Sequence, residues 1–270
     1  MKTPRHIFLI LIFSLALIVT AVFKYNTRQE GKIQAKQEET INTKEKQKYD
    51  FGEPWLSILH YYSIPSRHKK TIARTTILNT LVEKFNYQSY LEIGQSYSQN
   101  NFDWINCPKK TGVDPNLRVN ATYPMTSDNF FTLNKIFKNT FDIIFIDGLH
   151  HADQVERDIL NSLEVLNKNG TIVVHDCNPT TEVMQIVPRQ QPGSTEWTGD
   201  VWKAWVKLRA TKPDLKMYVI DTCTGCGIIR KGKQETINIP GELTYKVLDE
   251  NRKEFLNLVD INFFLKDLKK

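Results

Sequence analysis

The chain has 270 residues, of which 40% are hydrophobic and 24% charged, a balance typical of a globular protein of one domain with extensions. Its net charge of +6 is uneven, because residues 1–50 carry +4 and residues 51–270 carry +2. The folded part is therefore too evenly charged to predict a nucleic-acid partner. Four cysteines in a chain of this length do not form a disulfide framework.

The first predicted element is the apolar run IFLILIFSLALIVTAVF, residues 7–23, which follows a short tail of residues 1–6. It contains no charge, and its length lies within the about 17–25 residues that span a bilayer, so it predicts a transmembrane anchor. A signal peptide cleaved after Val19-Thr20-Ala21 is the alternative, and a buried core helix is a third. The uncleaved anchor is favoured, because the apolar run continues past that cleavage site.

Charges that flank the run favour a single-pass protein with its C-terminal part in the cytosol. Lys2, Arg5 and the terminal amine precede the run. The four basic residues that follow it within about 15–20 residues are Lys24, Arg28, Lys32 and Lys36. Free cysteines also persist in a reducing compartment.

Residues 24–50 are dominated by Lys, Glu, Gln, Thr and Asn. They cannot bury enough apolar surface to fold alone, which predicts a polar linker. We expect the folded domain over residues 51–236 and a helical extension over residues 237–270.

Helical and strand patterns alternate along the folded part. Apolar spacing predicts helices near residues 54–62, 72–85, 128–137, 155–166 and 201–210. The third has Ser127 or Asp128 as its expected N-cap, and the fourth is expected to stop at Gly170. Strands are predicted at residues 90–94, 111–115, 141–147, 171–176, 215–221 and 225–232. This alternation requires a mostly parallel sheet, and the short turn between the last two strands requires that they pair antiparallel.

Three of these strands end in an acid: Asp114, Asp147 and Asp176. The carboxyl ends of parallel strands meet at one sheet edge, where ligands bind. The turn after the first strand, Gly94 to Ser98, lacks the G-x-G-x-x-G that holds a pyrophosphate, which counts against a nicotinamide dehydrogenase. Asp114 follows Gly94 at the spacing of a ribose-binding acid. The sequence thus predicts a nucleoside ligand without a pyrophosphate.

Taken together, these segments resemble the class I S-adenosylmethionine-dependent methyltransferases, in particular a branch with a strand ending I-D-G-x-H. The resemblance covers Tyr87 to Lys231 and rests on YLEIG, GVDP, MTSD, FDIIFIDGLHHADQVERDI, LNKNGTIVVHDCNP, WTGDVWKAW and VIDTCTGCGII. It implies a Rossmann-like α/β fold with a seven-stranded, mostly parallel sheet, an antiparallel last strand and helices on both faces. Because the branch includes O-methyltransferases of sugars and small natural products, it also implies a small-molecule or glycan acceptor.

The resemblance implies S-adenosyl-L-methionine as cofactor and carries its binding residues onto this chain. They are Glu92, Gly94, Ser96, Asp114, Ser127, Asp128 and Asp147. Asp114 resembles the ribose-binding acid, and Asp147 the acid below the sulfonium. Ser96 stands where the family has a second glycine, so its side chain is expected to crowd the cofactor.

Asp147 and His150 are the predicted catalytic residues, since methyl transfer needs alignment and removal of the acceptor's proton. In some relatives a divalent metal assists, and Asp147 and Asp176 match the ligands of such a Mg²⁺ or Mn²⁺ ion. The candidate third ligands are His150, His175 and Asn178. Two carboxylates are few for Mg²⁺, and in the alternative interpretation Asp147 caps the next helix while His150 packs against the strand.

A long loop, residues 177–199, follows the strand that ends in Asp176 and predicts acceptor recognition. The candidates in it or at its end are Arg189, Trp197 and Asp200; a disordered surface insertion is the alternative. Cys223 and Cys226 form a lone C-x-x-C that we interpret as structural.

The leading hypothesis is therefore a membrane-tethered methyltransferase acting on a hydroxyl group of a sugar or small molecule. A membrane-anchored adapter with a decayed methyltransferase fold is the alternative, and the serine at position 96 is its only support.

Overall fold

The computed structural model describes residues 63–65, 70–72, 74–190 and 196–269. The predicted anchor, the linker and the helix near residues 54–62 lie outside these ranges. Among the residues described, no helix has the length and apolar character needed to cross a membrane.

A small antiparallel pair, β1 (Ser63–Pro65) and β2 (Lys70–Ile72), precedes the main sheet. The strands of the main sheet are β3 (Ser89–Ile93), β4 (Lys109–Val113), β5 (Phe141–Ile146), β6 (Leu166–Val174), β7 (Leu215–Ile220), β8 (Cys226–Lys231) and β9 (Leu258–Val259). The α-helices are α1 (Arg74–Phe85), α2 (Ser127–Phe137), α3 (Ala152–Val165), α4 (Val201–Thr211), α5 (Tyr245–Leu256) and α6 (Ile261–Asp267).

Seven strands form the main sheet in the order β4-β3-β5-β6-β8-β7-β9. Neighbours pair parallel except at β8, which pairs antiparallel with both β6 and β7. The predicted antiparallel pairing of β7 and β8 is confirmed, with Leu215 opposite Lys231 and Ile220 opposite Cys226. The six strands predicted from pattern are all present. β6 begins at Leu166, however, so the stop expected at Gly170 is wrong: α3 ends at Val165 and Gly170 lies within the strand. The seventh, β9, comes from the extension that was expected to be helical, and it pairs parallel with β7.

Each face of the sheet has its own apolar core, because successive strand residues point to opposite sides. Ile144 and Ile172 face the core that includes residues of α2, α3, α4 and α5. Ile143 and Val173 face the core that includes residues of α1 and α6. Helices therefore cover both faces, and the central strands β5 and β6 are apolar on both sides, as buried parallel strands are.

The start of α2 differs from the prediction. Thr126 is the N-cap, and its hydroxyl accepts a hydrogen bond from the Asn129 N–H at 3.3 Å. The expected cap at Ser127 or Asp128 is wrong, because the threonine one residue earlier already has the extended backbone that a cap requires. Ser127 Oγ and Asp128 Oδ1 instead accept hydrogen bonds from Gln154 Nε2, at 3.1 and 3.2 Å.

Gly94 ends β3 where the turns after β3 and β5 come into direct contact. Its φ is +84°, and a Cβ at this position would lie 2.3 Å from the Asp147 carbonyl oxygen and 2.4 Å from the Gly148 Cα. The Asp147 N–H donates to the Ile93 carbonyl at 2.9 Å. Only glycine fits this contact, which brings the two turns together at one edge of the sheet.

Candidate active site at the carboxyl ends of the strands

A cavity of about 690 Å³ lies at the carboxyl ends of β3, β4, β5 and β6. All seven predicted cofactor-binding residues line it, together with His150 and Asp176. Arg189, Trp197 and Asp200 are not among the residues that line it. The fold therefore brings the predicted cofactor, catalytic and metal residues to one place, and leaves the predicted acceptor residues beside it.

The turn after β3 fixes the acid at the end of β4. The Ser96 N–H donates to Asp114 Oδ2 and the Asn116 N–H donates to Asp114 Oδ1, both at 2.8 Å. Ser96 makes its bond with a φ of +50°, a left-handed conformation that costs an L-residue roughly 1–2 kcal/mol. The serine thus keeps the backbone shape of a glycine turn, and the Asp114 carboxylate is held rigidly at the cavity wall.

Glu92, at the end of β3, is a buried acid that also lines the cavity. Its Oε2 accepts hydrogen bonds from the Tyr90 hydroxyl and, at 3.1 Å, from Asn101 Nδ2. Burial raises the pKa of Glu92 to about 7, although these two hydrogen bonds oppose the shift. A cation in the cavity would favour the charged form of this carboxyl group.

Two histidines and two aspartates form a compact cluster between β5 and β6, here called the Asp–His cluster (Asp147, His150, His175 and Asp176). His175 Nδ1 lies 3.1 Å from Asp147 Oδ1 and 3.3 Å from Asp176 Oδ1. His150 Nε2 lies 3.4 Å from Asp147 Oδ1, and its Nδ1 lies 3.2 Å from Asp176 Oδ2 without hydrogen-bond geometry. Each imidazole therefore lies against both acids.

Interactions between the histidines and aspartates of the cluster outweigh the effect of burial on their pKa values. Burial lowers the pKa of His175, but the Asp147 and Asp176 carboxylates outweigh it and hold that pKa well above its ordinary value. The same balance raises the pKa of His150. Burial raises the pKa of Asp147, but His175 and His150 outweigh it and bring that pKa well below its usual range. The cluster thus favours the imidazolium form of both histidines and the carboxylate form of Asp147.

The donor set also suits a divalent ion. Asp147, His175 and Asp176 each offer one ligand atom, and these atoms lie within 4.8 Å of one another. Two carboxylate oxygens and an imidazole are ligands that Mn²⁺ or Mg²⁺ can accept. Asn178 is turned elsewhere, because its Nδ2 donates to Asp221 Oδ1 and its Oδ1 accepts from Arg252.

The loop after β6 contacts the cluster through Trp197. Its ring stacks on His150 with 5.1 Å between ring centroids and an interplanar angle of 15°. The Arg189 guanidinium carbon lies 5.8 Å from the centre of the Trp197 ring. Asp200 instead accepts a hydrogen bond from the Ala152 N–H at 2.7 Å. Asp200 rather than Asp147 therefore caps α3.

Arg252 of α5 holds the start of the same loop. Its Nη1 donates to Asn178 Oδ1 and to the Pro179 carbonyl oxygen, both at 2.6 Å. The extension after β8 thus anchors the loop that follows β6.

Two residues at the site escaped the sequence analysis. Arg74 lines the cavity, with Nε 3.8 Å from Asp147 Oδ2. Arg74 begins α1, the helix that precedes β3. A helix that precedes a parallel strand starts at the carboxyl edge of the sheet, so topology could have indicated that Arg74 lies near the cavity. Cys223, interpreted as structural, places Sγ 3.4 Å from His175 Nε2, and the C-x-x-C spacing gave no signal for that contact.

Residues 60–177 match a family model described as "Methyltransferase domain". The chain contains a methyltransferase domain. The match ends just after β6, so β7, β8 and β9 of the main sheet lie beyond it. No curated protein gives a significant match.

Solved structures similar to the methyltransferase domain include several O-methyltransferases. A putative O-methyltransferase from Klebsiella pneumoniae is 15% identical, with 67% of this chain and 91% of that chain covered and a TM-score of 0.42. The O-methyltransferase from Bacillus cereus in complex with SAH is 15% identical, with coverages of 66% and 87% and a TM-score of 0.44. TomG from Streptomyces achromogenes in complex with SAM is 13% identical, with coverages of 69% and 93% and a TM-score of 0.46.

Proposed function

We propose that this methyltransferase uses S-adenosyl-L-methionine to methylate a hydroxyl group of a sugar or other small molecule, and that residues 7–23 tether it to a membrane. The observation that carries the proposal is the convergence of the predicted nucleoside-binding residues and the Asp–His cluster on one cavity. The printed names of the similar structures, O-methyltransferases with SAM or SAH, agree with it.

The charge of the cavity suits this cofactor. Five acids line the cavity, Glu92, Asp114, Asp128, Asp147 and Asp176, against Arg74 and the two histidines of the Asp–His cluster. A negative cleft attracts a ligand that carries an ammonium and a sulfonium group. Asp114 would hold the ribose hydroxyls, Ser127 and Asp128 would lie beside the adenine, and Glu92 and Gly94 beside the methionine end.

The transfer itself needs alignment and a proton acceptor. S-adenosylmethionine, when bound, would supply the methyl group as an electrophilic sulfonium, and His150 at the cavity wall would take the hydroxyl proton of the acceptor. His150 lies 3.4 Å from Asp147 Oδ1, so a positive ligand beside Asp147 would lower the pKa of His150 and favour the neutral imidazole that can take that proton. Trp197 fixes the imidazole plane by stacking on it, which supports acceptor entry from the side of Trp197 and Arg189.

Asp147, Asp176 and His175 would hold a Mg²⁺ or Mn²⁺ ion. Such an ion, when bound, would lower the pKa of the acceptor hydroxyl. His150 would then complete the wall of the site.

Cofactor binding is tested by calorimetric titration of the full-length protein in detergent with S-adenosylmethionine and S-adenosylhomocysteine. Asp114→Ala should weaken binding of both by about 1–3 kcal/mol, because it strands hydrogen-bonding groups of the ligand and the Ser96 N–H. Asp153→Ala is the control, since that acid is exposed on α3 and does not line the cavity. No binding by the wild-type protein at millimolar cofactor would favour the adapter alternative.

The proposed topology places the domain in the cytosol, and Asn120-Ala121-Thr122 provides a reporter, because this glycosylation sequon has an exposed asparagine. Expressed in a cell with a eukaryotic secretory pathway, the full-length chain should carry no glycan at Asn120. As a control, residues 51–270 behind a cleavable secretory signal should become glycosylated. A glycosidase-sensitive mass shift of the full-length chain that disappears in Asn120→Gln would place the domain in the lumen instead.

A further inference from the structure

The end of the sheet opposite the cavity has the opposite electrical character. We call it the amino-end face, because the parallel strands begin there and the preceding helices end there. Nine lysines lie at this end: Lys84, Lys109, Lys135, Lys138, Lys168, Lys212, Lys231, Lys233 and Lys266. Topology places each lysine at this end in one of three ways. A lysine either lies at the end of a helix that runs towards this edge, lies at the start of a parallel strand, or lies at the end of the antiparallel strand β8.

These lysines exceed the acids at the same end. The acids there are Glu83, Asp142, Glu164, Asp214, Glu235 and Asp267, the last of which pairs with Lys216 and Arg230. Both Asp142 oxygens accept hydrogen bonds, from the Gln88 N–H and from Asn167 Nδ2 among others, so that acid is already engaged. Within the described ranges, none of the nine lysines forms an ion pair. The domain therefore has an acidic cavity end and a basic amino-end face.

An exposed apolar pair lies on the basic face. Ile136 is 74% and Phe137 is 56% exposed at the end of α2, and Lys135 and Lys138 flank them in sequence. This arrangement suits a membrane surface. The aliphatic and aromatic groups can enter the boundary between headgroups and acyl chains, while the lysine ammonium groups contact anionic headgroups.

We propose that the amino-end face docks on anionic lipid headgroups, so that the cavity opens towards water. Charge complementarity supports a lipid surface. The exposed aliphatic Ile136 beside Phe137 and the lysines in place of arginines favour lipid over RNA, whose sites combine stacking aromatics with arginines. This inference goes beyond the proposed function, because it concerns neither methyl transfer nor insertion of residues 7–23.

Lysine acetylation tests the docking in the full-length protein. The protein is reconstituted in nanodiscs of phosphatidylcholine, alone or mixed with phosphatidylglycerol, and labelled with a water-soluble reagent before mass spectrometry. Labelling of Lys135 and Lys138 should slow by about fivefold in the anionic discs, the gain that one lysine obtains near such a surface. Lys246, 84% exposed on α5, should label equally in both discs.

Charge-reversal variants test whether docking depends on the amino-end face or only on the net charge of the protein. Lys135→Glu with Lys138→Glu should abolish the difference between the two discs at Lys84 and Lys168, whereas Lys246→Glu with Lys253→Glu, the same charge change on α5, should preserve it. Equal labelling of Lys135 and Lys138 in both discs, or slowing only when RNA is added, would overturn the proposal. If residues 7–23 do not insert, the protein should still join anionic discs and not zwitterionic ones, so the two failures are distinguishable.

Discussion

Replacing Gly94 with alanine is expected to lower the free energy of unfolding by about 2–5 kcal/mol, the combined cost of a left-handed φ and of overpacking. The added methyl group would lie 2.3 Å from the Asp147 carbonyl oxygen, a backbone atom that cannot move without shifting β5. Denaturant unfolding followed by circular dichroism measures the loss, and cofactor binding should fall with it because the turn contributes to the cavity wall.

Gly148→Ala is the matched control for this loss. The alanine enters the same contact from the other side, but its Cβ would meet Ile93 Cγ2 at 3.5 Å, an ordinary van der Waals distance. It should change stability by less than about 1 kcal/mol. Equal stability of Gly94→Ala and the wild-type protein would show that the two turns are not in contact.

The second large effect is expected from Asp147→Asn. The substitution removes one of the two carboxylates that each imidazole faces and leaves the buried His175 with Asp176 alone, which should cost about 1–3 kcal/mol of stability. Methyl transfer should fall by about 10²–10⁴-fold, the usual contribution of a group that controls proton removal. Asp142→Asn makes the same change at the other end of β5 and should retain the turnover of the wild-type protein.

The stability loss of Asp147→Asn should depend on pH. The raised pKa of His175 stabilises the fold fully below the unfolded pKa of about 6.5, and this stabilisation is lost as pH rises through the folded pKa. The difference between the two proteins should therefore shrink in alkaline solution. Thermal melts across the pH range measure it, and a difference that grows with pH would contradict the charge assignment.

Treatment with a chelator distinguishes the two roles that Asp147 can have, metal ligand or partner of His150 in proton removal. Loss of wild-type turnover with chelator and recovery with Mg²⁺ or Mn²⁺ would assign it as a metal ligand. Undiminished turnover in excess chelator would leave Asp147 with His150 in proton removal.

The fold was predictable because its signals are local. Hydrophobic runs that end in Asp114, Asp147 and Asp176 identify three parallel strands and the edge at which they end. The two-residue strand β9 was not predictable, because two residues show no period and β9 forms only where β7 offers an edge. The cap of α2 was misplaced by one residue, since Thr126, Ser127 and Asp128 are all good caps and only the backbone selects among them.

The site was predictable where residues follow strands and unpredictable where distant segments meet. Asp147 and His150 share one turn, so their proximity follows from sequence. Arg74 and Cys223 reach the Asp–His cluster from elements far apart in the chain, and no spacing encodes those contacts. The role of Asp200 was hidden for the same reason, because its partner Ala152 lies 48 residues away.

The position of Arg252 in the chain has a consequence for the order of assembly. All residues that line the cavity are synthesised before Arg252, whose guanidinium holds Asn178 and Pro179. The strand that completes the sheet, β9, follows later still. Domains generally fold as units during synthesis at about 5–20 residues per second. For several seconds during synthesis, the nascent chain therefore contains every residue that lines the cavity but lacks the arginine that anchors the neighbouring loop. A chaperone could bind that loop during this interval.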